Sequence, residues 1–565
     1  MRKKIYVLSL LAIGAVGLAL IGARASHAQP LQSYVVVYDA HASAAAARGA
    51  VKASGGAIVR ENLKVGVATA VSRNSNFLSA VSRQRALLGA ALDRPVGSAL
   101  GNPIGSDLEL AKARAAARGT VSGAVETASP ARGEPFADKQ WGMKLIHATA
   151  EGSYALERGS GVLVGIIDTG VDGSHPDIAA NFSGALSRNF TTDIPLVDGP
   201  CADEPDGSCS DPADVDENSH GTHVASIIGS PINNLGVAGV APEVTLVNLR
   251  AGQDSGYFFL QPSVDALTYA GDQGIDVVNM SYFIDPWLYN CKNNAADSPQ
   301  AQMEQRTIIT ATQRALEYAH KRGVVLIAAS GNEHTDLGAE TKVDGISPDF
   351  PPGSEYERIV DNNCLDLPNE GKNVLSINSI GPSTRKADYS NYGLEQATVA
   401  APGGFFRDDP LWKATDPPDV RNLAGIPNLI LAAYPENVAR EFGEIEPDGT
   451  PNTPFVLRDC NGPTCAYYQY LQGTSMASPH AVGVAALIVG KFGDLNPTGI
   501  HPAYVLRILR KTATDHACPD PPLHSYADKL RPPSFDALCV TTPSFNGFYG
   551  YGIVDALRAV EKGGD

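Results

Sequence analysis

The 565-residue chain has no cysteine before Cys201, and none of its eight cysteines form a C-x-x-C pair. No histidine lies close to any two of them, which excludes a structural zinc site. A basic balance is also missing: 44 Lys and Arg face 61 Asp and Glu, for a formal charge of −17. Phosphate backbones require concentrated Lys and Arg, so no nucleic-acid partner is expected. Beyond residue 23 there is no uninterrupted apolar run of about 18 residues, the length a membrane span needs. There is no internal repeat and no H-E-x-x-H. Gly159-Ser160-Gly161 precedes its strand rather than following it, which makes it a turn and not a dinucleotide loop. With 43% hydrophobic and 19% charged residues, the composition is that of a globular chain, neither disordered nor collagen-like.

What is present is polarised along the chain. Arg2-Lys3-Lys4 precedes an uncharged apolar stretch, Ile5 to Ala23, and small residues follow at Ser26 and Ala28. This pattern predicts a signal peptide over 1–28, removed before Gln29, with an uncleaved anchor helix as the alternative. Residues 1–28 hold four basic groups and no acid, and 29–135 hold 12 Lys/Arg against 7 Asp/Glu, so the entire negative balance lies further on. A basic leading segment and an acidic body suit an intramolecular complex. All eight cysteines lie in the acidic body, an even number that fits disulfides in an oxidising compartment. Eight cysteines admit roughly a hundred pairings. The short-loop pairs Cys201–Cys209 and Cys460–Cys465 are preferred, which leaves Cys291–Cys364 and Cys518–Cys539.

Residues 29–100 read as a small α+β unit. Strands are expected at 33–38, 57–59 and 65–71, with helices at 42–53 and 77–91. The stretch from Gly97 to Pro135, rich in Ala, Gly, Ser and Arg, reads as an exposed linker and a natural place for a proteolytic cut. From Trp141 the pattern changes. Nearly continuous apolar runs at 162–167, 244–249, 275–280, 324–329 and 374–380 alternate with helical patterns at 263–272 and 306–321. That predicts a parallel sheet with helices on both faces. Ligands of such sheets bind beyond the carboxyl ends of the strands, where Asp168, Ser281 and Asn332 fall. Three stretches (191–217, 285–305 and 405–465) read as inserted surface loops.

Three blocks carry chemistry: Val164-Gly165-Ile166-Ile167-Asp168-Thr169-Gly170, Asn218-Ser219-His220-Gly221-Thr222-His223, and Gly473-Thr474-Ser475-Met476-Ala477-Ser478-Pro479-His480, which opens an Ala/Val/Leu-rich helix. A serine hydroxyl needs a base, imidazole supplies one near neutrality, and a carboxylate on the other ring nitrogen fixes the tautomer. Pro479 is tolerated if it lies in the first turn of the helix. Alone, Asp168 would be a turn residue and either histidine a core residue. In this order, together with Ala328-Ala329-Ser330-Gly331-Asn332-Glu333, the blocks resemble the subtilisin-like serine proteases, whose Asp–His–Ser order is a standard worked case. Ser390-Asn391-Tyr392-Gly393 and Ala400-Ala401-Pro402-Gly403 add to the match, which runs over about 138–556.

The resemblance implies an α/β, parallel-sheet catalytic domain over 138–565. Before it would stand a small ferredoxin-like inhibitory propeptide over 29–100 and a linker over 101–137 that carries the maturation cut. Asp168, His220 and Ser475 would form the triad, Asn332 and the Ser475 N–H the oxyanion donors, and Ser281, Tyr282, Phe283, Ala329, Ser330 and Gly331 the substrate cleft. His223 would be structural. In many relatives Leu-Gly-Gly follows the serine at position 281. Here the residues are Tyr282-Phe283-Ile284, which points to a narrower substrate range. Asp177, in His175-Pro176-Asp177, matches a calcium position, with Asn234 as its partner in a loop one residue short. The acidic stretch 203–217 would either bind a second ion or be solvated. No organic cofactor is expected. The expected product is a secreted, extracellular, monomeric endopeptidase acting on proteins or peptides, with its propeptide as inhibitor and no membrane attachment after signal cleavage. A dedicated maturation protease and a catalytically silent binding protein are the alternatives.

Overall fold

The computed structural model describes residues 30–93, 134–195, 197–202, 207–284, 286–349, 353–493, 501–542 and 544–562. The expected signal peptide and most of the expected linker lie outside them.

Residues 30–93 form β1 (Gln32–Tyr38), α1 (Ala44–Ala53), β2 (Gly56–Asn62), β3 (Val67–Ser72), α2 (Phe77–Val81) and β4 (Leu87–Leu92). The sheet order β2-β3-β1-β4 is antiparallel throughout, the ferredoxin-like βαββαβ arrangement. Helix α1 begins where the Ser43 hydroxyl accepts the Ala46 N–H, an N-cap that satisfies an otherwise orphaned donor. The helix expected over 77–91 stops at Val81. Residues 87–92 are instead an edge strand against β1. The six-residue Leu-Leu-Gly-Ala-Ala-Leu run carries no periodicity of its own, and ladder pairing with β1 decides its state. Gly89 lets that strand approach the helix below, since a Cβ there would lie 2.5 Å from the Thr307 hydroxyl.

The acidic body is built on a seven-stranded sheet. Its strands are β5 (Leu163–Ile167), β6 (Arg188–Asn189), β7 (Thr245–Arg250), β8 (Val277–Met280), β9 (Val325–Ala329), β12 (Val374–Ile380) and β13 (Ala397–Pro402), with β10 (Thr341–Asp344) and β11 (Arg358–Asp361) forming a separate hairpin. The order is β13-β12-β9-β8-β5-β7-β6, and every pairing is parallel. Helices α3 (His220–Gly229) and α6 (Thr474–Phe492) cover one face, and α4 (Leu260–Gln273) and α5 (Pro299–Lys321) the other. Among the described residues α6 is the one helix long and apolar enough to cross a membrane, but 89% of that stretch is buried in the core.

The small domain sits on α4 and α5. Val35, Val37, Val67 and Ala91 join Val264, Leu267, Ile308 and Ala315 in one buried cluster. Around it, Arg60 pairs with Asp265 at 2.8 Å and Lys64 with Asp272. Asn62 donates to Asp265 and Thr268, both at 2.8 Å, and Arg314 donates to the Tyr38 and Val65 carbonyls. Basic groups of the leading domain thus meet acidic groups of the body.

Two expected surface loops are folded parts of the core. In 285–305, Trp287, Leu288, Tyr289 and Cys291 are buried, and α5 already begins at Pro299 behind the Ser298 cap. In 405–465, β14 (Ile430–Tyr434) and β15 (Val456–Asn461) form a three-stranded sheet with β16 (Thr464–Leu471) around a cluster that includes Trp412 and Tyr468. Their Pro, Asn and Asp content marked turns but hid the apolar residues between them. In 191–217, Asp193, Asp211 and Asp216 are buried rather than solvated. All four expected disulfides are formed, Cys201–Cys209, Cys291–Cys364, Cys460–Cys465 and Cys518–Cys539.

Candidate active site

Asp168 follows directly on β5 and is fully buried. Its Oδ1 accepts the Thr169 N–H at 2.8 Å and lies 2.7 Å from His220 Nδ1. A carboxylate acceptor at that distance places the imidazole proton on Nδ1 and makes Nε2 the basic nitrogen. The strand end is held in turn, because the Asp168 carbonyl accepts the N–H groups of Ala251 and Gly252 at 3.0 Å.

His220 opens α3, and a residue not singled out from sequence organises that helix end. Asp216 Oδ1 accepts the Ser219 N–H (2.9 Å), the Asn218 N–H (3.1 Å) and the Thr169 hydroxyl (3.3 Å). Its Oδ2 accepts from the Thr222 hydroxyl (2.6 Å) and N–H (3.0 Å). One buried carboxylate therefore caps α3, where negative charge is favourable, and ties that helix to the residue after Asp168. An acid four residues before the histidine of His-Gly-Thr-His was the available signal, hidden among the other acids of 203–217.

Ser475 is the second residue of α6 and is fully buried. Pro479 is not in the first turn, as expected, but inside the helix. Having no N–H, it leaves the carbonyl four residues back, that of Ser475, without its helical partner. The Ser281 hydroxyl fills that place at 3.3 Å. Ser281 accepts from Asn279 Nδ2 (2.9 Å), and Asn279 Oδ1 accepts from the Ser478 hydroxyl (2.7 Å). The strand end and the helix start are locked together around the serine.

Asn332 faces the same helix start. Its Oδ1 accepts the N–H (3.0 Å) and hydroxyl (2.9 Å) of Thr474, and the Thr474 hydroxyl accepts the Gly331 N–H at 3.1 Å. With the amide oxygen so engaged, Nδ2 is the donor end of the side chain. The loop itself is clamped by Asn391, whose Nδ2 donates to the Ser330 carbonyl (3.0 Å) and Glu333 (2.7 Å), while its Oδ1 accepts the N–H groups of Glu333 and Thr335. Gly331 has φ +99°, and a Cβ there would strike the Asn391 amide, so glycine is required.

The other site candidates divide. Ser281, Ala329, Ser330 and Gly331 lie in the two segments beside Ser475 and Asn332. The side chains of Tyr282 and Phe283 turn into the core: Tyr282 stacks on Phe258 at 4.1 Å between ring centroids, and Phe283 packs with Leu288, Tyr289 and Ala329. Only their backbone remains available to a bound strand. His223 Nε2 meets the Gln469 carbonyl at 3.0 Å and is structural. Burial holds the His480 imidazole down at about 4, so it stays neutral.

The calcium candidates do not fit that ion. Asp177 is buried, but Oδ1 accepts from Asn233 Nδ2 (3.0 Å) and Oδ2 from the Val237 N–H (3.1 Å). The short loop brings Asn233, not Asn234, to Asp177. Asn234 is exposed and directs its N–H to Glu134 at 3.1 Å. The Leu235 and Gly236 N–H groups likewise reach the carboxylates of Glu134 and Asp459 at 2.9 Å. Calcium requires converging oxygens, whereas this loop presents N–H donors. Asp193, Asp211 and Asp254 also converge, but around the buried Arg250 guanidinium, which pairs with all three.

A family model described as the subtilase family matches residues 159–552. The chain belongs to the subtilase family. This subtilase is 25% identical over 389 residues to fervidolysin of Fervidobacterium pennivorans, a match covering 68% of the chain but 41% of fervidolysin. It is 28% identical to a thermophilic serine proteinase of Bacillus sp. (strain AK1), of which it spans 53%. Against subtilisin DY of Bacillus licheniformis it is 26% identical over 364 residues, 64% of this chain and 88% of that protein. Among solved structures, the epidermin leader peptide processing serine protease from Staphylococcus aureus superposes with a TM-score of 0.62, covering 95% of this chain and 99% of that one at 20% identity. Fervidolysin gives 0.56 at 20% identity, with 95% of this chain and 62% of the other covered. These structural matches establish the fold.

Proposed function

We propose that this subtilase is an exported serine endopeptidase, made as a self-processing zymogen. The observation that carries the reading is the buried 2.7 Å contact from Asp168 to His220, with Ser475 at the start of α6, which packs against the helix bearing His220. In this reading the Ser475 hydroxyl attacks the substrate carbonyl carbon while His220 Nε2 takes its proton, and Asp168 stabilises the imidazolium. The oxygen that becomes negative receives hydrogen bonds from Asn332 Nδ2 and the Ser475 N–H, and the dipole of α6 adds to them. His220 returns the proton to the leaving amine. Water then attacks the acyl-enzyme by the same route.

The leading domain, 29–100, acts as the inhibitory propeptide, the signal segment 1–28 is removed, and the linker 101–137 carries the maturation cut. The Arg60–Asp265 and Lys64–Asp272 pairs favour this reading. A cut in that linker before Glu134 would keep Glu134 on the mature enzyme, as the anchor of the 234–235 amides. The mature enzyme works outside the cell as a monomer and needs no organic cofactor.

A second reading is a dedicated maturation protease. Similarity to the nisin leader peptide-processing serine protease of Lactococcus lactis favours it, at 26% identity over 368 residues, 64% of this chain and 45% of that protein.

The test uses the exported protein and a Ser475→Ala variant, both treated with a fluorophosphonate probe and run on a denaturing gel. A shortened, labelled wild-type band beside an unlabelled, full-length variant is the expected result. Folded wild-type protein, free of the leading domain 29–100, that takes no label would overturn the proposal in favour of a silent binding protein. Hydrolysis by the variant falls by about 10⁶-fold.

A further inference from the structure

Behind the oxyanion loop lies a group of acids that the catalytic machinery does not use. Ile284, three residues beyond Ser281, donates its N–H to the Leu367 carbonyl at 2.6 Å, and Asn290 pairs with Leu365. The segment leaving Ser281 therefore runs directly along residues 365–367. Asp366 is 2% exposed. Glu333, the residue after Asn332, and Glu370 both act electrostatically on it. The segments that flank Ser475 and Asn332 thus border this group of acids.

The charge in this group is one-sided. Asp366 Oδ2 accepts from Asn369 Nδ2 at 3.3 Å, but Asp366 Oδ1 and Asn369 Oδ1 have no partner, although both side chains are buried. Glu370 is occupied at both oxygens, by the Asp366 N–H and by Gln396. Lys342, the cation acting on Asp366, directs its ammonium to the Leu337 carbonyl instead, at 2.7 Å. Buried polar atoms are nearly always paired, and here both unpaired atoms on Asp366 and Asn369 are acceptors. Three carboxylates stand there against one ammonium, and the buried Tyr289 hydroxyl beside them, also unpaired, is a neutral donor that brings no charge. The complement of this group is a positively charged side chain with several N–H groups.

We infer that Asp366, with Asn369 and Glu370 around it, receives a lysine or arginine side chain of the substrate residue preceding the scissile bond. The inference rests on the endopeptidase reading above and deepens it by naming a substrate class. An arginine fork matches an open carboxylate edge and a neighbouring amide oxygen better than any neutral side chain. Burial holds the Asp366 carboxyl well above its ordinary range, and an arriving cation favours the ionised form.

The experiment uses mature enzyme whose active sites have been counted with a fluorophosphonate. Its peptides differ only at the residue before the scissile bond: arginine, lysine, citrulline (the neutral isostere of arginine), phenylalanine or glutamate. Wild-type kcat/KM should favour arginine over citrulline by about 100-fold, and Asp366→Asn should bring that ratio close to one. Both substrates meet the same preparation, so a folding loss in the variant cancels, and the wild-type ratio needs no variant at all. Titratable enzyme that prefers phenylalanine, or is indifferent to charge, would overturn the inference and leave the endopeptidase standing. So would a ratio unchanged in Asp366→Asn. Calcium that abolishes the arginine preference in wild type would reassign this group of acids to a metal ion. Enzyme that cannot be titrated at all would bring down the endopeptidase reading, and this one with it.

Discussion

Two groups of buried and half-buried carboxylates lie near the ends of the central sheet, and they are completed in opposite ways. At the carboxyl end of β7, Asp193, Asp211 and Asp254 close around Arg250, whose side chain is fully buried and pairs with each of them. Beside the oxyanion loop, Asp366, Glu370 and Glu333 gather with no guanidinium among them, and acceptor oxygens on Asp366 and Asn369 stay unpaired. Three acids and one internal cation make a structural joint. Three acids whose nearby ammonium is turned elsewhere make a place for a cation from outside. Acid content alone does not distinguish the two; the direction of the donors does.

The largest expected effect is at the closed joint. Arg250→Met leaves buried charges uncompensated and should cost about 3–5 kcal/mol of stability, read by urea unfolding. Its outcome separates a joint from a surface cluster, which would lose almost nothing. Next, replacing Cys291 and Cys364 together by alanine should cost about 2–4 kcal/mol and loosen the wall that carries Asn290 and Leu365, weakening any preference for basic substrates. Asp366→Asn should go the other way and stabilise the protein by about 1 kcal/mol, because it removes an unmatched buried acid. A loss as large as that of Arg250→Met would mean that the second group is a closed joint as well.

The sign follows from linkage. The folded Asp366 carboxyl is raised above its ordinary 3.8 by burial, so the folded state binds the extra proton. Its contribution is fully present below that value and is lost as pH rises toward the folded one. Urea unfolding across that window should therefore show a fall with rising pH in the wild type, flattened in Asp366→Asn. The smallest effect expected is that of chelation. EDTA should move Tm by less than about 1 °C, since a metal that stabilised this fold would act through its binding free energy. A large drop would show that the 233–237 loop takes up a cation after all.

Much of this was legible in the chain itself. Apolar runs placed β5, β7, β8, β9 and β12 to within a few residues, because a sheet covered on both faces leaves no polar positions to blur them. The cysteine spacing pointed to the two short-loop disulfides, and the cysteines it left over form the other two. Motif blocks drew attention to Asp168, His220, Asn332 and Ser475, and the fold brings Asp168 within 2.7 Å of His220. What failed did so for reasons beyond local pattern. Leu87–Leu92 became a strand because β1 offered it a ladder. Pro479 entered a helix because Ser281 takes over the carbonyl that the proline leaves unbonded. Asn233 replaced Asn234 at Asp177 because a loop one residue short shifts which side chain faces inward.

By itself, then, the sequence determined the main strands of the parallel sheet, the family and the side chains proposed as reactive. These depend on spacing, apolar periodicity and residue chemistry, all of which are local. The tertiary structure alone decided which acids meet a cation and which do not, that Asp216 caps the helix bearing His220, and that Tyr282 and Phe283 turn into the core. Each of these depends on side chains far apart in sequence meeting in a buried space, where one donor more or less changes the energy by more than any local propensity.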